Sequence, residues 1–364
     1  MKTIIQSVLV VLLVCGAASV LAKDYYVAQD GQTPTLPYTN GWTSAASNIQ
    51  DAVIQVPSGS LGPHTVWVRP GHYTMSTNVT TYNDEGSVVT TNVVFISTRD
   101  IRLRATSTNP ADTIIDGGGL YRGIKIIIGT TLTPAYTVVV DGFTISNCYA
   151  KSYGGGGVYV DGNSKTWTCM VQNCAIVYNA SAAGVSGGGG LYNYEIGASA
   201  ACALTVSNCV IASNNAFGTG TGSGGAGLKF QSASLVLPRP RVIGCRIEGN
   251  TASGDFGGGV FANWANLENC IIRNNYVSGK GGGIHNENAY VSLTNTLICN
   301  NTANGGGGAV YFRNANELTG YELELVNCTL AGNIALGSYS GGITLLNSNI
   351  CQASIVNSIK GVSM

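Results

Sequence analysis

The chain repeats itself, and the repeat is short. Asn269 to His285 reads N-C-I-I-R-N-N-Y-V-S-G-K-G-G-G-I-H, and reduced copies of it run through most of the 364 residues. Each copy has Asn then Cys, an aliphatic residue two places after the Cys, a second Asn six places after the first, and a glycine run closed by an aliphatic residue. The first Asn recurs as Asn173, Asn208, Asn269, Asn295, Asn327 and Asn357, with Gly244 once in its place and Asp116 and Asp141 ahead of it. The second recurs as Asn147, Asn179, Asn214, Asn250, Asn275, Asn301 and Asn333. Successive copies lie 25 to 36 residues apart. A unit this short cannot bury a hydrophobic face alone, so copies must stack as a solenoid.

Parity decides between strand and helix. After the first Asn the copies read C-A-I-V, C-V-I-A, C-R-I-E, C-I-I-R, T-L-I-C and C-T-L-A. Cys or Thr and Ile or Leu hold the first and third places, while the second and fourth admit Arg246, Glu248 and Arg273. Period two means a half-buried strand. Before the Asn, Leu267, Leu293 and Leu325 take the inward places. After the glycines, Val158, Leu191, Leu228, Val260, Ile284 and Val310 do the same. About three short strands and three bends per unit, with no helical period between them, describe one rung of an all-β, single-stranded parallel β-helix. Rungs stack at about 4.8 Å. The asparagines have two uses there: a bend needs a residue that tolerates left-handed dihedrals, and stacked amides bond from rung to rung.

Met1 to Ala22 has the form of a secretory signal, with Lys2, an apolar run from Ile4 to Val14 and Val20-Leu21-Ala22 as a cleavage site. Cys15 suggests a lipoprotein alternative, which Val14 before it fits poorly. Residues 23–60 are expected to form a strand and a short capping helix; Ala46, Ile49, Val53 and Val56 fall at helical spacing after an N-cap at Thr43 or Ser44. Residues 61–364 form the β-helix, which stops inside a rung and so reads as incomplete at its C-terminal end. Only 10% of residues are charged and the formal net charge is zero, which leaves no basic patch for nucleic acid. No stretch after the signal is a transmembrane candidate.

Several residues could carry chemistry. Cys174, Cys209, Cys245, Cys270 and Cys328 share one inward place, as packed thiols or as disulfides in an oxidising exterior. Asp116 and Asp141, 25 residues apart, are expected to stack and could share a calcium ion; the simpler account is that each caps its own bend. Arg122 and Lys125 lie close enough in sequence to Asp116 to make the best acid/base cluster available. Gly220 to Gly225 matches a dinucleotide-binding pattern, but no helix follows it. The outward neighbours after the glycine runs are Tyr159, Tyr192, Lys229, Phe261, His285 and Tyr311, ending in Thr344. Stacked in register they would form an exposed aromatic stripe for sugar rings or a protein partner, or simply stiffen the sheet.

The motifs D-Y-Y-V-A-Q-D-G, N-I-Q-D-A-V, V-W-V-R-P-G-H-Y, T-I-I-D-G-G-G, V-D-G-F-T-I-S-N and the repeated N-C-x-I-x-x-N with G-G-G-V-Y span residues 24 to 359. Together they resemble bacterial exported right-handed parallel β-helix proteins of the pectin-lyase-like fold. The Gly-Gly-aliphatic and aliphatic-x-x-Asn pairing is also similar to the repeats of polymorphic outer membrane proteins, with Ile or Leu where those have Phe. The resemblance implies the right-handed sense of the coil and an exported, secreted, cell-surface or outer-membrane location. Pectate lyases would imply an Asp cluster holding calcium and a basic residue that abstracts a proton. Polygalacturonases would imply paired Asp with G-H-G and R-I-K signatures, which this sequence lacks. One fold hosts many activities. The leading expectation is a non-enzymatic, adhesin-like surface protein that presents a long face to glycan or protein and needs no cofactor, with calcium as the one candidate. A polysaccharide lyase or glycoside hydrolase, and a purely structural surface rod, are the alternatives.

Overall fold

A computed structural model of the chain describes residues 22–58, 62–75, 91–97, 99–127, 136–162, 166–182, 187–195, 201–218, 223–232, 238–314, 322–346 and 352–360. The apolar run of the signal and the last four residues lie outside these. Among the described residues every strand pairing is parallel, and the strands fall into four sheets along one coil. One full turn shows the plan. Ala265–Glu268 lies in sheet 1, Ile271–Arg273 in sheet 2, Tyr276–Val277 in sheet 3 and Ile284–Glu287 in sheet 4; Val291–Thr294 then returns to sheet 1 beside Ala265–Glu268. Sheet 1 has eleven strands, sheet 2 ten, sheet 3 seven and sheet 4 nine. The protein is a right-handed, single-stranded parallel β-helix.

The inward positions are those that parity gives. Val158, Leu191, Leu228, Val260, Ile284 and Val310 are fully buried in sheet 4, and so are Ile176, Ile211, Ile247, Ile272 and Ile298 in sheet 2. With sheet 1 they form one continuous core. Each buried aliphatic side chain contributes about 1.5–3 kcal/mol. Four strands per turn replace the expected three, because a left-handed residue closes sheet 2 after three residues and leaves a two-residue strand beyond it.

The two bends divide the uses of asparagine between them. Between sheets 1 and 2 the turn residue is Gly142, Asn173, Asn208, Gly244, Asn269, Asn295, Asn327 or Asn357, each at φ between 48° and 85°. Here Asn is chosen for its dihedrals, and its amides bond weakly from rung to rung, as Asn295 Nδ2 to Asn269 Oδ1 at 3.2 Å. Between sheets 2 and 3 the left-handed residue is Asn147, Tyr178, Ser213, Gly249, Asn274, Asn300 or Gly332. The ladder asparagine follows it. Asn179, Asn214, Asn250, Asn275, Asn301 and Asn333 are buried, each of the first five donating through Nδ2 to the Oδ1 of the next at 2.9–3.1 Å. Asn147 is not in that ladder. Cys148 holds the place, its N–H donating to Asn179 Oδ1 at 3.0 Å.

The cysteine position explains itself in the same way. Cys174, Cys209, Cys245, Cys270 and Cys328 are free and buried. Each donates its Sγ–H to the carbonyl two residues back, at 3.1–3.5 Å. Thr296 and Ser358 make the same bond through Oγ at 3.0 Å. The position asks for a small donor that closes the left-handed bend, and a thiol is one of three that serve.

The helix is shorter than its spacing suggests. It spans Ile49–Val53 with Asn48 as N-cap, whose side chain accepts the Gln50 N–H at 3.0 Å. Trp42–Ser44 is a separate 3₁₀ turn. Ile49, Ala52, Val53 and Val56 join the core beside Val27, Val66 and Val68 of the first two sheet 1 strands.

Candidate functional site

Sheet 4 carries the row that parity singles out. Register aligns Lys125, Tyr159, Tyr192, Lys229, Phe261, His285, Tyr311 and Thr344 on consecutive rungs. They stack as expected, but they are not exposed: Tyr159 is 3% accessible, Tyr192 1%, Phe261 4%, and His285 and Tyr311 0%. The reason lies in the glycine runs between sheets 3 and 4. These turns double back over the outer face of sheet 4 and bridge one another as a fifth parallel ladder, Gly187 to Gly224, Phe256, Lys280 and Gly306. Only glycine allows that approach. Gly307 sits at φ 62°, and a Cβ there would stand 2.5 Å from the Val310 carbonyl and 2.7 Å from Tyr311 Cβ. The open aromatic stripe is therefore corrected to a covered row.

The row is tightly stacked. Tyr159 and Tyr192 meet edge to face at 5.6 Å. Lys229 Nζ lies 5.1 Å from both the Tyr192 and Phe261 rings. Phe261, His285 and Tyr311 stack at 5.6 and 5.1 Å, and Phe256 of the covering turn sits 4.2 Å from His285. Burial shifts the ionisable members. It lowers the Lys229 amine to about 7 and the Lys125 amine to about 8, the latter opposed by the Asp161 carboxylate. It lowers His285 to about 3 and pushes Tyr311 up to about 12.

The acid/base cluster expected around Asp116 does not assemble. Arg122 is fully buried and acts as a clamp. Nε donates to the Gly155 carbonyl at 3.1 Å, one terminal nitrogen to the Ser152 and Gly154 carbonyls at 2.8 and 3.0 Å, and the other to Asn92 Oδ1 at 3.1 Å. It ties down the first glycine turn and leaves no face for chemistry. Lys125 belongs to the covered row instead.

Asp116 and Asp141 sit at different bends. Asp141 ends a sheet 1 strand and registers with Arg104 and Gln172; Asp116 ends a sheet 2 strand and registers with Ser146. The loop from Thr106 to Asp112 replaces a one-residue bend, which shifts Asp116 one sheet onward. Asp116 accepts from His72 Nε2 at 2.8 Å, the Gly118 N–H at 2.7 Å and Asn147 Nδ2 at 3.0 Å. Burial raises its pKa, and these donors together bring it below the usual carboxylate range. Asp141 accepts from Asn173 Nδ2 at 2.8 Å and Gln172 Nε2 at 3.0 Å, beside a hollow of about 410 Å³ lined by Ala105 to Thr108, Gly142 and Asn173. Nitrogen donors surround both carboxylates, and no set of three His, Cys, Asp or Glu that could hold a metal occurs among the described residues. These residues do not fit a shared calcium ion.

Two groups escape the parity argument. Tyr153, Phe217, Leu336 and Tyr339 lie on the glycine turns or just ahead of them and are 48%, 45%, 68% and 46% exposed. Their sequence signal is an apolar residue inside or beside a glycine run. At the bend leading into sheet 1, Arg239 stacks 3.8 Å over Tyr290 and 5.4 Å from Trp264, and Tyr290 donates to Glu324 at 2.5 Å. Gly224 and Gly225, from the dinucleotide-like pattern, belong to the turn ladder, while residues 219–222 lie outside the described set.

No protein-family model matches the chain, and no curated protein does. Among solved structures it is similar to pectate lyase Pel9A, with a TM-score of 0.43 and 16% identity over 93% of this chain and 80% of that one. It is also similar to a rhamnogalacturonan lyase, at 0.37 and 15% over 93% and 87%. ORF18 of Geobacillus virus E2 gives 0.30 and 12% over 82% and 58%.

Proposed function

We propose that the protein is exported and works at a cell surface or outer membrane as an adhesin-like β-helix that binds glycan or protein without turning it over. The observation that carries this reading is a set of exposed apolar side chains on the glycine turns, Tyr153 on the first, Phe217 on the third and Leu336 and Tyr339 on the seventh, backed by a rigid stacked row. Exposed aromatic side chains suit sugar rings or an apolar partner surface. The signal-like residues 1–22 support export.

The test is a glycan array run beside a polysaccharide-degradation screen on residues 23–364, with and without calcium. Binding without new reducing ends, lost in a Tyr153→Ala, Phe217→Ala, Tyr339→Ala triple variant, is the expected result. Binding that survives the triple variant would move the site elsewhere.

A second reading, a polysaccharide lyase or glycoside hydrolase, has one observation in its favour. The Lys125 amine, lowered by burial to about 8, approaches the range of a general base near neutral pH. Unsaturated or shortened products that vanish in Lys125→Met would establish that reading and end the first.

A further inference from the structure

His285 is the one imidazole of the covered row. Its ring is fully buried, and neither nitrogen makes a hydrogen bond of ordinary geometry, the Lys280 carbonyl lying only close enough to favour the charged ring. Its neighbours Tyr311 and Thr344, one and two rungs on, also have side-chain hydroxyls without partners. We propose that His285 is an acid-operated latch: protonating the ring held between Phe261, Tyr311 and Phe256 opens the glycine turn above it and uncovers the aromatic row.

The surroundings hold a neutral ring well and a charged one badly. Stacked rings contact both faces, and Phe256 covers it from the preceding turn. The charged and titratable groups around it can be named element by element. The covering turn brings Lys280, whose Nζ lies 5.3 Å from the Tyr311 ring. The same face of sheet 4 brings Arg313 and Glu287, already paired with each other at 2.9 Å. Lys229 stands two rungs back against Phe261, Tyr339 stands beyond Tyr311, and Asp255 is exposed at the head of the Phe256 turn. Glu287, the carboxylate on the strand of His285 itself, is thus engaged by Arg313. The Lys280 carbonyl, which also accepts the Gly257 N–H at 2.9 Å, favours the charged ring but does not outweigh burial. A buried imidazolium here would be a poorly compensated charge among cations.

The glycine turn gives way before the strand does. Ile284 is locked in the core, whereas Gly281 and Gly282 hold their place by backbone bonds to Gly306 and Gly307 at 2.9 and 3.1 Å. Segments with little buried apolar surface open first.

The sign follows from linkage. In the closed form burial holds the ring at about 3, and in an opened turn it returns towards its ordinary 6.5. The open form therefore binds the extra proton. The closed form is fully favoured above pH 6.5 and loosens as pH falls towards 3, about tenfold per unit.

Amide hydrogen exchange, corrected for intrinsic rate and read by peptide between pH 7.5 and 4.5, tests this. Peptides covering 255–261, 278–285 and 305–311 should gain about a hundredfold in exchange at pH 4.5, roughly one proton's worth of linkage. Those covering 243–250, which hold no histidine, should not change. In His285→Phe, which keeps a ring in the stack, the gain should vanish, and His285→Gln should behave alike. The proposal is overturned if the turn peptides show no acid-dependent gain, if the gain persists in either variant, or if it spreads evenly over the chain.

Discussion

Two edges of the coil bury polar groups, and they do it in opposite ways. At the bend between sheets 2 and 3, each inner ladder asparagine satisfies its amide completely. Asn275 Nδ2 donates to the Ile247 carbonyl and to Asn301 Oδ1 at 3.0 and 2.9 Å; its Oδ1 accepts from the N–H and Nδ2 of Asn250 at 3.0 and 2.9 Å. Across the coil, the row under the glycine turns buries His285, Tyr311 and Thr344 with side-chain polar atoms that bond to nothing. Both edges are built by stacking one residue type per rung. A ladder whose every donor has an acceptor is architecture. A buried row that leaves them unmet holds strain that solvent, a proton or a ligand can relieve.

The largest predicted effect falls on the satisfied edge. Asn275→Ala removes the acceptor of the Asn250 N–H and takes one hydrogen bond each from the Ile247 carbonyl, the Asn250 amide and the Asn301 oxygen, all buried. At about 1–3 kcal/mol for each unsatisfied group, partly relaxed, it should lose about 4 kcal/mol. Asn269→Ala, at the exposed bend where Asn is used for φ 56°, should lose only about 1 kcal/mol. Guanidinium unfolding followed by circular dichroism measures both. Equal losses would mean that the two bends use asparagine for the same reason.

That division also marks what the sequence could tell. Spacing alone places Asn at bends and in a ladder, and parity places the repeating core aliphatics of sheets 1, 2 and 4. Spacing does not separate the left-handed residue from the ladder residue next to it, because both are often Asn; hence it points to Asn147 where Cys148 holds the ladder place. Asp116 escapes the spacing for a related reason. Its 25-residue step to Asp141 mimics a rung, but the residue in register with Asp141 is Arg104, ahead of the loop at 106–112, and Asp116 lies beyond that loop on sheet 2. The aromatic stripe was legible as a row, since register follows from period, but its burial was not. Whether a glycine run leads into a strand or folds back over it depends on the path of backbone, which side-chain pattern does not record.

The covered row gives the next effect, with the opposite sign. Lys229 is 1% exposed and its amine is lowered by burial from 10.5 to about 7. Between those values the unfolded chain binds the proton and the folded chain does not, so its contribution is complete above pH 10.5 and is lost as pH falls to 7. The wild-type protein should therefore gain about 3 kcal/mol from pH 7 to pH 10 through this group. Lys229→Met should remove that gain, seen as a flatter stability profile in urea. A profile unchanged by the substitution would show that the amine is solvated in the folded protein.

Two glycines at matching dihedrals sharpen the contrast further. Gly249, at the asparagine bend, and Gly307, in the covering turn, both sit at φ 62°. A Cβ at Gly249 meets nothing closer than Ser213 Oγ at 3.8 Å, so Gly249→Ala should cost only the dihedral penalty of about 1 kcal/mol. A Cβ at Gly307 strikes the Val310 carbonyl at 2.5 Å, and Gly307→Ala should cost about 2 kcal/mol or more and loosen the turn over Tyr311. Quenching of tyrosine fluorescence by iodide, raised in the second variant only, reports the loosening.

The smallest effect is expected at the cysteines, and it decides whether they belong with the satisfied edge. Cys270 donates to the Glu268 carbonyl at 3.3 Å, and the next rung makes the equivalent bond with Thr296. If the position asks only for a small donor in the core, Cys270→Thr should change stability by less than about 1 kcal/mol. Cys270→Leu, which loses the donor and overpacks the bend, should lose about 2 kcal/mol. Both are read from thermal unfolding with and without reductant. A large loss in the threonine variant, or stability that depends on reductant, would make the thiol itself the selected feature. The matching bonds of Thr296 and Ser358 argue that geometry rather than sulfur chemistry keeps these cysteines in line.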